Sequence, residues 1–249
     1  MKLQGKKALV TGASKGIGRS VALGFAKEGA DVFLTAKEDE KGLSEAVELA
    51  RASGIKAQGG LYDAASLEEV RRLMDDVASA FGTLDILVNN AGIIKPTPFW
   101  EISPEQFERT LRIHLFGTFY HTQEALRRFM MPKKSGKIIN LAAPAALRGF
   151  YGVADYATAK GGIVALTKNA AKELVPFNIQ VNAVAPVAET RMTEALSGYY
   201  SAQLGAEEGK TLQGLPGTDK LVGTFLYFAS PDSDCVTGQV LAADWGMLC

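Results

Sequence analysis

Short apolar runs alternate with longer stretches of helical periodicity along almost the whole chain. The apolar runs are typical of β-strands and span residues 7–11, 31–36, 56–61, 84–88, 137–141, 179–184 and 239–242. Between them, apolar residues recur at helical spacing after the glycine-rich turn that follows residue 11 and in 39–53, 66–81, 104–131 and 155–175. We expect the helix over 104–131 to end at Pro132, because proline lacks an N–H donor.

This alternation predicts an α/β fold, in which a parallel sheet carries helices on both faces. No linker rich in Pro, Gly or Ser divides the chain, and no internal repeat is evident. We therefore predict one domain over 1–249, a single-domain Rossmann fold with a doubly wound parallel β-sheet. In such sheets ligands bind at the carboxyl ends of the strands.

Residues 187–217 interrupt the alternation. The segment contains Tyr199, Tyr200, several glycines and Pro216, and it follows the sixth predicted strand. It is either a lid over a substrate or a solvent-exposed helical excursion, and the sequence leaves both interpretations open.

Composition excludes several classes of function. Lys plus Arg and Asp plus Glu are both 27, so nothing indicates a nucleic-acid or membrane-binding surface. No apolar run approaches the ~18 residues of a membrane-spanning helix, and the apolar run at the start is too short for a signal peptide. The cysteines are Cys235 and Cys249, without the spacing of a disulfide framework or a metal site. We expect a cytoplasmic protein with no structural metal.

A glycine-rich turn follows the first predicted strand and opens a helix. Its glycines are Gly12, Gly16 and Gly18, and the following residues include apolar Val21 and Phe25 at helical spacing. Glycines let the backbone approach a diphosphate, and a helix N-terminus offers free N–H groups and a positive dipole end. The turn is a candidate dinucleotide site, although an ordinary tight turn has the same composition.

Tyr156 and Lys160 form the candidate catalytic pair. In a helix their i,i+4 spacing puts phenol and ammonium on one face. A nearby ammonium favours the phenolate, so we expect it to lower the tyrosine pKa from about 10 and suit the phenol to acid/base work. Taken alone, this spacing is common on helices that have no catalytic role.

Several motifs in order resemble the short-chain dehydrogenase/reductase family over nearly the whole chain. They are Thr11-Gly-x-x-x-Gly-x-Gly18, Asp63, Asn89-Asn-Ala-Gly92, Tyr156-x-x-x-Lys160, Asn182-Ala-x-x-Pro186, Thr190 and the ending VTGQVLAADWG. The resemblance implies a nicotinamide cofactor and hydride transfer between that cofactor and a carbonyl or alcohol carbon. It also implies a homotetramer, or a homodimer, joined through the helices over 104–131 and 155–175.

The resemblance assigns roles to individual positions. Tyr156 is implied as the acid/base, and Lys160 as the ligand of the nicotinamide ribose that lowers the tyrosine pKa. The remaining cofactor contacts are implied for Gly12, Ser14, Lys15, Gly16, Ile17 and Gly18 (diphosphate and ribose), Asp63 and Ala64 (adenine), Asn90, Ala91 and Gly92 (the cleft), and Pro186 and Thr190 (the nicotinamide end).

The end of the second strand indicates which cofactor is used. Relatives that prefer NAD commonly carry Asp where this chain has Ala36, and Lys37 follows directly. Lys37 and Lys15 could bond a 2′-phosphate, although either lysine alone is more often a solvated surface charge. The sequence therefore favours NADP(H) over NAD(H).

Ala143 departs from the family. Relatives normally have a serine there that donates a hydrogen bond to the substrate oxygen. No Ser or Thr occurs from 136 to 156. Three interpretations remain. The chain is a working reductase that manages without this donor, a variant disabled by an engineered Ser→Ala change, or a non-redox or catalytically silent dinucleotide-binding protein.

His114 is the second departure, since the family usually has an Asn there that supports a proton relay. A histidine here and the segment NAVAPVAETRMT are similar to the branch containing the dehydrogenase part of peroxisomal multifunctional β-oxidation enzymes. Histidine could replace Asn in the relay, or it could be a packed residue bonded to a backbone carbonyl. The substrate expected is a small, hydrophobic carbonyl or alcohol compound, with 3-oxoacyl or 3-hydroxyacyl thioesters suggested by this resemblance.

Overall fold

A seven-stranded parallel sheet forms the centre of the molecule, as the computed structural model of the chain shows for residues 1–210 and 212–248. The strand order is β3-β2-β1-β4-β5-β6-β7, and every neighbouring pair is parallel. The strands are β1 (Lys7–Val10), β2 (Asp31–Ala36), β3 (Ala57–Leu61), β4 (Ile86–Asn89), β5 (Gly136–Leu141), β6 (Ile179–Pro186) and β7 (Val240–Ala243). The predicted doubly wound, single-domain Rossmann fold is confirmed.

Helices connect the strands and cover both faces of the sheet. The α-helices are α1 (Gly16–Lys27), α2 (Glu40–Arg51), α3 (Leu67–Phe81), α4 (Pro104–Leu111), α5 (Gly117–Ala125), α6 (Met131–Lys133), α7 (Ala145–Arg148), α8 (Ala154–Leu174), α9 (Arg191–Gln203), α10 (Ala206–Lys210) and α11 (Val222–Ala229). In the part of the chain that the structure describes, none of them is long and apolar enough to span a bilayer.

The two faces of the sheet have separate cores. One core packs α1, α2 and α11 against the strands and contains the buried rings of Phe25 and Phe225. The other packs α3, α5 and α8 on the opposite face, with Leu73 and Met130 fully buried. The inner strands are apolar almost without interruption because both of their faces are covered in this way.

The helical stretch over 104–133 differs from its prediction. It consists of α4, α5 and α6 joined by two π-helical turns, Arg112–Phe116 and Leu126–Met130. The prediction that Pro132 ends it was wrong, because helix continues to Lys133 and stops where Lys134 turns left-handed at φ 51°. Proline is tolerated there because it lies in the first turn of α6, where its fixed φ fits a helix and its missing N–H costs little.

The segment 187–217 contains α9 and α10 in its described residues. Thr190 caps α9, accepting from the backbone N–H of Thr193 at 3.2 Å while Oγ1 of Thr193 accepts from the N–H of Thr190 at 2.8 Å. The inner face of α9 buries Leu196, Ser197 and Tyr200. The segment is therefore a packed helical layer on its inner side.

A ladder of buried polar side chains crosses from α5 to α8 through two strands. The amide nitrogen of Asn89 donates to Oγ1 of Thr122 at 3.1 Å and to Oδ1 of Asn140 at 2.9 Å. The amide nitrogen of Asn140 donates in turn to Oγ1 of Thr167 at 2.9 Å. All four side chains are buried. Because each bond satisfies a group that water cannot reach, the ladder fixes both helices to the sheet.

Replacing Thr167 with Val leaves the amide nitrogen of Asn140 without that partner and is expected to lower the free energy of unfolding by about 1–3 kcal/mol. For a chain of this size, each kcal/mol lowers Tm by about 2–4 °C. The measurement is thermal unfolding by circular dichroism at fixed protein concentration.

Thr158→Val is the matched control on the same helix. Oγ1 of Thr158 donates to the carbonyl of Ala154 at 2.7 Å, just as Oγ1 of Thr167 donates to that of Ile163 at 2.8 Å. Thr158 is exposed and outside the ladder, so its change should stay within about 0.5 kcal/mol. Equal losses in the two variants would mean that the ladder contributes nothing.

Candidate active site

The turns after β1 and β4 lie against each other where the strand order reverses. Oγ1 of Thr11 accepts from the backbone N–H groups of Asn90 and Ala91, both at 3.0 Å. The side-chain amide of Asn90 donates to the carbonyls of Thr11 and Gly12 at 2.8 and 2.9 Å. Because ligands of such sheets bind at this switch point, these bonds shape the floor of the candidate site.

The glycine-rich turn needs glycine because the two turns approach so closely. A Cβ on Gly18 would lie 2.4 Å from the amide nitrogen of Asn90 and 2.5 Å from the carbonyl of Gly12. Helix α1 then begins at Gly16 after Lys15, with no side-chain cap and no acidic residue in its first turn. Its free N–H groups and positive dipole end suit an anion, so this turn fits a dinucleotide diphosphate.

Other predicted cofactor residues lie at or just after the carboxyl ends of other strands in the same sheet. A Cβ on Gly16 would lie 3.9 Å from the methyl group of Thr190. Pro186 ends β6, the second strand beyond β4. Ala64 packs through its carbonyl against Gly117, where an added Cβ would be 2.9 Å away. The structure thus gathers the predicted positions along one edge of the sheet, with Ser14 buried and Ile17 half-buried.

Both lysines predicted near the 2′-position are paired with carboxylates. Nζ of Lys37 lies 2.8 Å from Oδ2 of Asp63, and Nζ of Lys15 lies 3.5 Å from Oδ2 of Asp39. Asp39 also caps α2, accepting from Gly42, and the pKa of its carboxyl is lowered chiefly by a hydrogen bond from Ser14. A cleft of about 290 Å³ opens beside Lys37, and its lining also includes Asp63, Ala65, Arg109 and Ile113. Sequence reasoning missed Asp39, which lies outside the motifs.

Tyr156 and Lys160 lie one helical turn apart on α8, with Nζ of Lys160 5.5 Å from the centre of the Tyr156 ring. Nζ donates to the carbonyl of Leu141 at 2.6 Å, and the side chain is buried. Burial lowers the pKa of Lys160 to about 7 and raises the pKa of Tyr156 well above its ordinary value. The expected lowering of the tyrosine pKa was wrong, because the penalty for burying a phenolate outweighs a lysine whose own charge is disfavoured.

His114 lies in the first π-helical turn and packs edge-on against Tyr156, with ring centres 5.1 Å apart and planes at 90°. A Cβ on Gly92 would fall 2.2 Å from Cε1 of the imidazole, so glycine there makes room for the ring. Nε2 lies 2.8 Å from the carbonyl oxygen and 3.0 Å from the amide nitrogen of Ile93. It therefore either donates to the carbonyl or accepts from the amide.

The other imidazole nitrogen of His114, Nδ1, is available for a further hydrogen bond. Nδ1 is buried and has no hydrogen-bond partner among the residues that the structure describes. Burial, reinforced by Lys160, lowers the pKa of His114 to about 3, so the ring is neutral at pH 7. A neutral imidazole with one free nitrogen can pass a proton, since that nitrogen holds either a hydrogen or a lone pair.

Ala143 is buried in an apolar cluster with Val153, Leu196 and Tyr200, against which Tyr156 packs. The alanine offers no donor, as the sequence indicates. Two phenol oxygens in this region, those of Tyr199 and Tyr200, are buried without a hydrogen-bond partner in the described residues. Together with Nδ1 of His114, they are polar atoms left open in an otherwise apolar corner.

Asp155 is a buried carboxyl group that sequence reasoning missed. Its Oδ2 accepts from Oγ1 of Thr110 at 2.8 Å and from the amide of Gln106 at 3.2 Å, and its Oδ1 accepts from the N–H of Tyr156 at 2.8 Å. These bonds hold the first turn of α8 against α4. An acidic residue in a first helical turn is ordinary, so only the packing distinguishes it. The described residues contain no cluster of metal-ligating side chains.

Comparison with known proteins gives a consistent result. The family model described as Enoyl-(Acyl carrier protein) reductase matches residues 12–248. The chain is 36% identical over 248 residues to the 3-oxoacyl-[acyl-carrier-protein] reductase FabG of Aquifex aeolicus, covering 99% of each protein.

Solved structures of the same architecture include enzymes with either nicotinamide cofactor. NAD+-bound xylitol dehydrogenase superposes with a TM-score of 0.89 at 31% identity, covering 97% of this chain and 98% of the other. A short chain dehydrogenase from Burkholderia cenocepacia in complex with NADP superposes with a TM-score of 0.88 at 30% identity, covering 98% of each. The architecture by itself therefore does not select the cofactor.

The buried imidazole of His114 should make stability depend on pH. Its folded pKa of about 3 is below the ordinary 6.5, so its contribution is complete above pH 6.5 and is lost as the pH falls towards 3. His114→Asn should therefore reduce the loss of unfolding free energy between pH 6.5 and 4, by up to about 1.4 kcal/mol per pH unit.

Urea unfolding at fixed protein concentration from pH 7 to pH 4 gives this slope. Thr158→Val, which leaves the imidazole in place, should keep the slope of the unmodified chain. An unchanged slope in His114→Asn would show that the imidazole protonates equally well in the folded and unfolded states.

Proposed function

Because this chain belongs to the short-chain dehydrogenase/reductase family, we propose that it interconverts a carbonyl and an alcohol with NADP(H), using Tyr156 as acid/base. The observation that carries this proposal is the Tyr156–Lys160 pair, in which a partly buried phenol lies one helical turn from a buried amine. The same chain offers an uncapped helix N-terminus that suits a diphosphate. A protein that only bound the dinucleotide would have no need for a phenol next to a buried amine.

The glycine-rich turn and the edge of the sheet are the proposed cofactor site. The nicotinamide, when bound, supplies or accepts a hydride. The residues proposed to hold the cofactor are Gly12, Ser14, Lys15, Gly16, Ile17, Gly18, Lys37, Asp63, Ala64, Asn90, Ala91, Gly92, Tyr156, Lys160, Pro186 and Thr190.

Tyr156 is proposed to give its phenolic proton to the substrate oxygen in the direction of reduction. Its raised pKa keeps the phenol protonated at pH 7, which suits an acid. Lys160, with a pKa of about 7, exchanges protons readily at neutral pH and so can restore the proton through its neighbours. Nδ1 of His114 is the proposed next member of this relay. Two observations support it: Nδ1 has no hydrogen-bond partner among the described residues, and the imidazole ring packs against Tyr156.

The proposed substrate is a hydrophobic ketone or 3-oxoacyl thioester. The cluster around Ala143 is apolar, and Ile94, Phe150, Val153 and Leu196 contribute to it. The Aquifex relative is named as a 3-oxoacyl-[acyl-carrier-protein] reductase. The resemblance of His114 and residues 182–193 to the multifunctional β-oxidation branch also points to acyl thioesters, so both sources support the same chemical class.

The proposed preference for NADP(H) rests on Lys15 and Lys37, with Ala36 providing no carboxylate at the end of β2. Asp39 and Asp63 neutralise these lysines in part. A 2′-phosphate would have to share the cations with them, so the four side chains together set the preference.

We further propose a homotetramer that works in the cytoplasm, with residues 187–217 closing over the substrate. Phe107, Phe116 and Phe119 remain substantially exposed along α4 and α5, and a row of exposed aromatic side chains is a common mark of a subunit interface. Light scattering gives the assembly size, and protection of 187–217 from proteolysis by substrate and cofactor tests the closure.

Tyr156→Phe is expected to reduce kcat/KM by about 10²–10⁴-fold, because it removes only the acidic hydroxyl. Binding of NADPH, followed by fluorescence titration, should change by less than about threefold. The assay is absorbance of the reduced nicotinamide with a panel of ketones, aldehydes and 3-oxoacyl thioesters. Tyr227→Phe, a partly exposed phenol on α11, is the control and should retain full activity.

Activity of the unmodified chain decides between the proposed reaction and a non-redox protein. If neither it nor Ala143→Ser turns over any member of the panel while NADPH still binds, the catalytically silent alternative is correct.

Lys37→Ala should raise the KM for NADPH by about tenfold or more and change the KM for NADH much less, since a charge-assisted bond contributes about 1.5–3 kcal/mol. Asp39→Asn should act in the opposite direction and lower the KM for NADPH. Asparagine caps a helix as well as aspartate, so α2 is retained. Initial rates with both cofactors test this pair, and an unmodified chain that uses NADH at least as well as NADPH would refute the preference.

A further inference from the structure

Tyr200 is a buried phenol whose oxygen makes no hydrogen bond within the part of the chain that the structure describes. Its side chain is 7% exposed, and Leu196 lies one helical turn before it on the inner face of α9. Among the residues that the structure describes, nothing bonds its hydroxyl. A buried tyrosine usually finds a hydrogen-bond partner, because an unpaired buried hydroxyl destabilises the folded state. The open hydroxyl therefore indicates a partner that the chain itself does not provide.

The position of Tyr200 links its hydroxyl to the candidate site. Tyr200 and Ala143 belong to one buried cluster, and Tyr156 packs against the same cluster. The remaining members of this cluster are apolar apart from Tyr199. The open phenol thus shares its surroundings with the proposed acid and with the alanine that lacks a donor.

Burial also keeps Tyr200 in the form of a donor. It raises the pKa of the phenol to about 12, with a smaller contribution from Tyr199. The hydroxyl therefore carries its proton throughout the neutral range. A protonated phenol can donate to a carbonyl oxygen in the same way as a serine hydroxyl.

Tyr199, the preceding residue, also has a buried hydroxyl without a partner among the described residues, but its ring lies in a different environment. It is only partly buried, stacks on the ring of Tyr151 with centres 6.0 Å apart, and fills the space beside Gly152. An added Cβ on Gly152 would lie 2.4 Å from its ring. Tyr199 thus packs towards the more exposed loop before α8, which makes its hydroxyl a matched comparison for that of Tyr200.

We propose that Tyr200 donates a hydrogen bond to the substrate oxygen and so takes over the task of the missing serine at position 143. This inference rests on the proposed carbonyl–alcohol reaction. In reduction, the carbonyl carbon gains a hydride and the oxygen gains the proton of Tyr156. Tyr200 keeps its own proton and stabilises the negative charge that develops on the oxygen.

Tyr200→Phe tests the proposal, because it removes the hydroxyl and preserves the ring. We expect kcat to fall by about 10²–10³-fold, the usual loss for one such donor. NADPH binding should change by less than about threefold. Tm should stay equal or rise, since the variant no longer buries an unpaired hydroxyl. Tyr199→Phe should keep kcat within about threefold of the unmodified chain.

Rescue by a serine distinguishes a donor from a packing residue. Adding Ala143→Ser to Tyr200→Phe should restore kcat by at least tenfold. The same Ala143→Ser change in the unmodified chain should have a smaller effect, because both hydroxyls would serve one oxygen. A residue that only packs would give a lower Tm and no such rescue.

The outcomes separate the two proposals. If the unmodified chain turns over the panel and Tyr200→Phe keeps its kcat, or loses it without rescue by serine, this inference is overturned and the proposed reaction stands. If neither the unmodified chain nor Ala143→Ser is active on any substrate, the proposed reaction fails and the role of Tyr200 fails with it.

Discussion

The close approach of the turns after β1 and β4 is the constraint on which the site depends. The sheet reverses its strand order at this point, and Thr11 and Asn90 tie the two turns together through both side chains. Gly18 has no space for a Cβ beside them. Because the turns are locked to each other, the start of α1 faces the cleft without a cap, and the rest of the site is built along the same edge. The geometry of the proposed diphosphate site therefore follows from backbone packing more than from any single side chain.

Burial determines the electrostatics at the other end of this edge. Lys160 and His114 are shielded from water and Tyr156 is partly buried, and burial pushes each of the three towards its neutral form. Because burial disfavours charge, a buried phenol keeps its proton at neutral pH, whereas a buried amine loses its proton more readily than an exposed one. In the ligand-free protein Tyr156 and His114 are therefore neutral at pH 7, while the pKa of Lys160 lies at about 7. Their neighbours support this arrangement, since Gly92 leaves room for the imidazole and Asp155 fixes the first turn of α8.

The absence of a hydroxyl at Ala143 acquires a different meaning in the folded protein. Read along the chain, the alanine is a missing donor in a stretch without serine or threonine. In three dimensions the alanine shares a cluster with Tyr200 of α9, which lies 57 positions later in the sequence. A donor can thus enter the site from a segment that the motif does not include. This possibility also explains why an enzyme could keep a buried hydroxyl that weakens its own folded state.

Local patterns determined the fold and the identity of the candidate pair. Apolar runs, helical spacing and the glycine-rich turn predict a doubly wound sheet because they depend on neighbours a few residues apart. The same local view failed at Pro132, which lies in the first turn of α6 without ending the helix there, and at Tyr156, where burial outweighs the lysine one turn away. It also missed Asp39 and Asp155, and it could not show that the hydroxyl of Tyr200 is buried without a partner among the described residues. The surroundings of these side chains come from other parts of the chain. Only the tertiary structure decides which groups lose contact with water. That loss lowers the pKa of Lys160, and it leaves the hydroxyl of Tyr200 buried without a partner among the described residues.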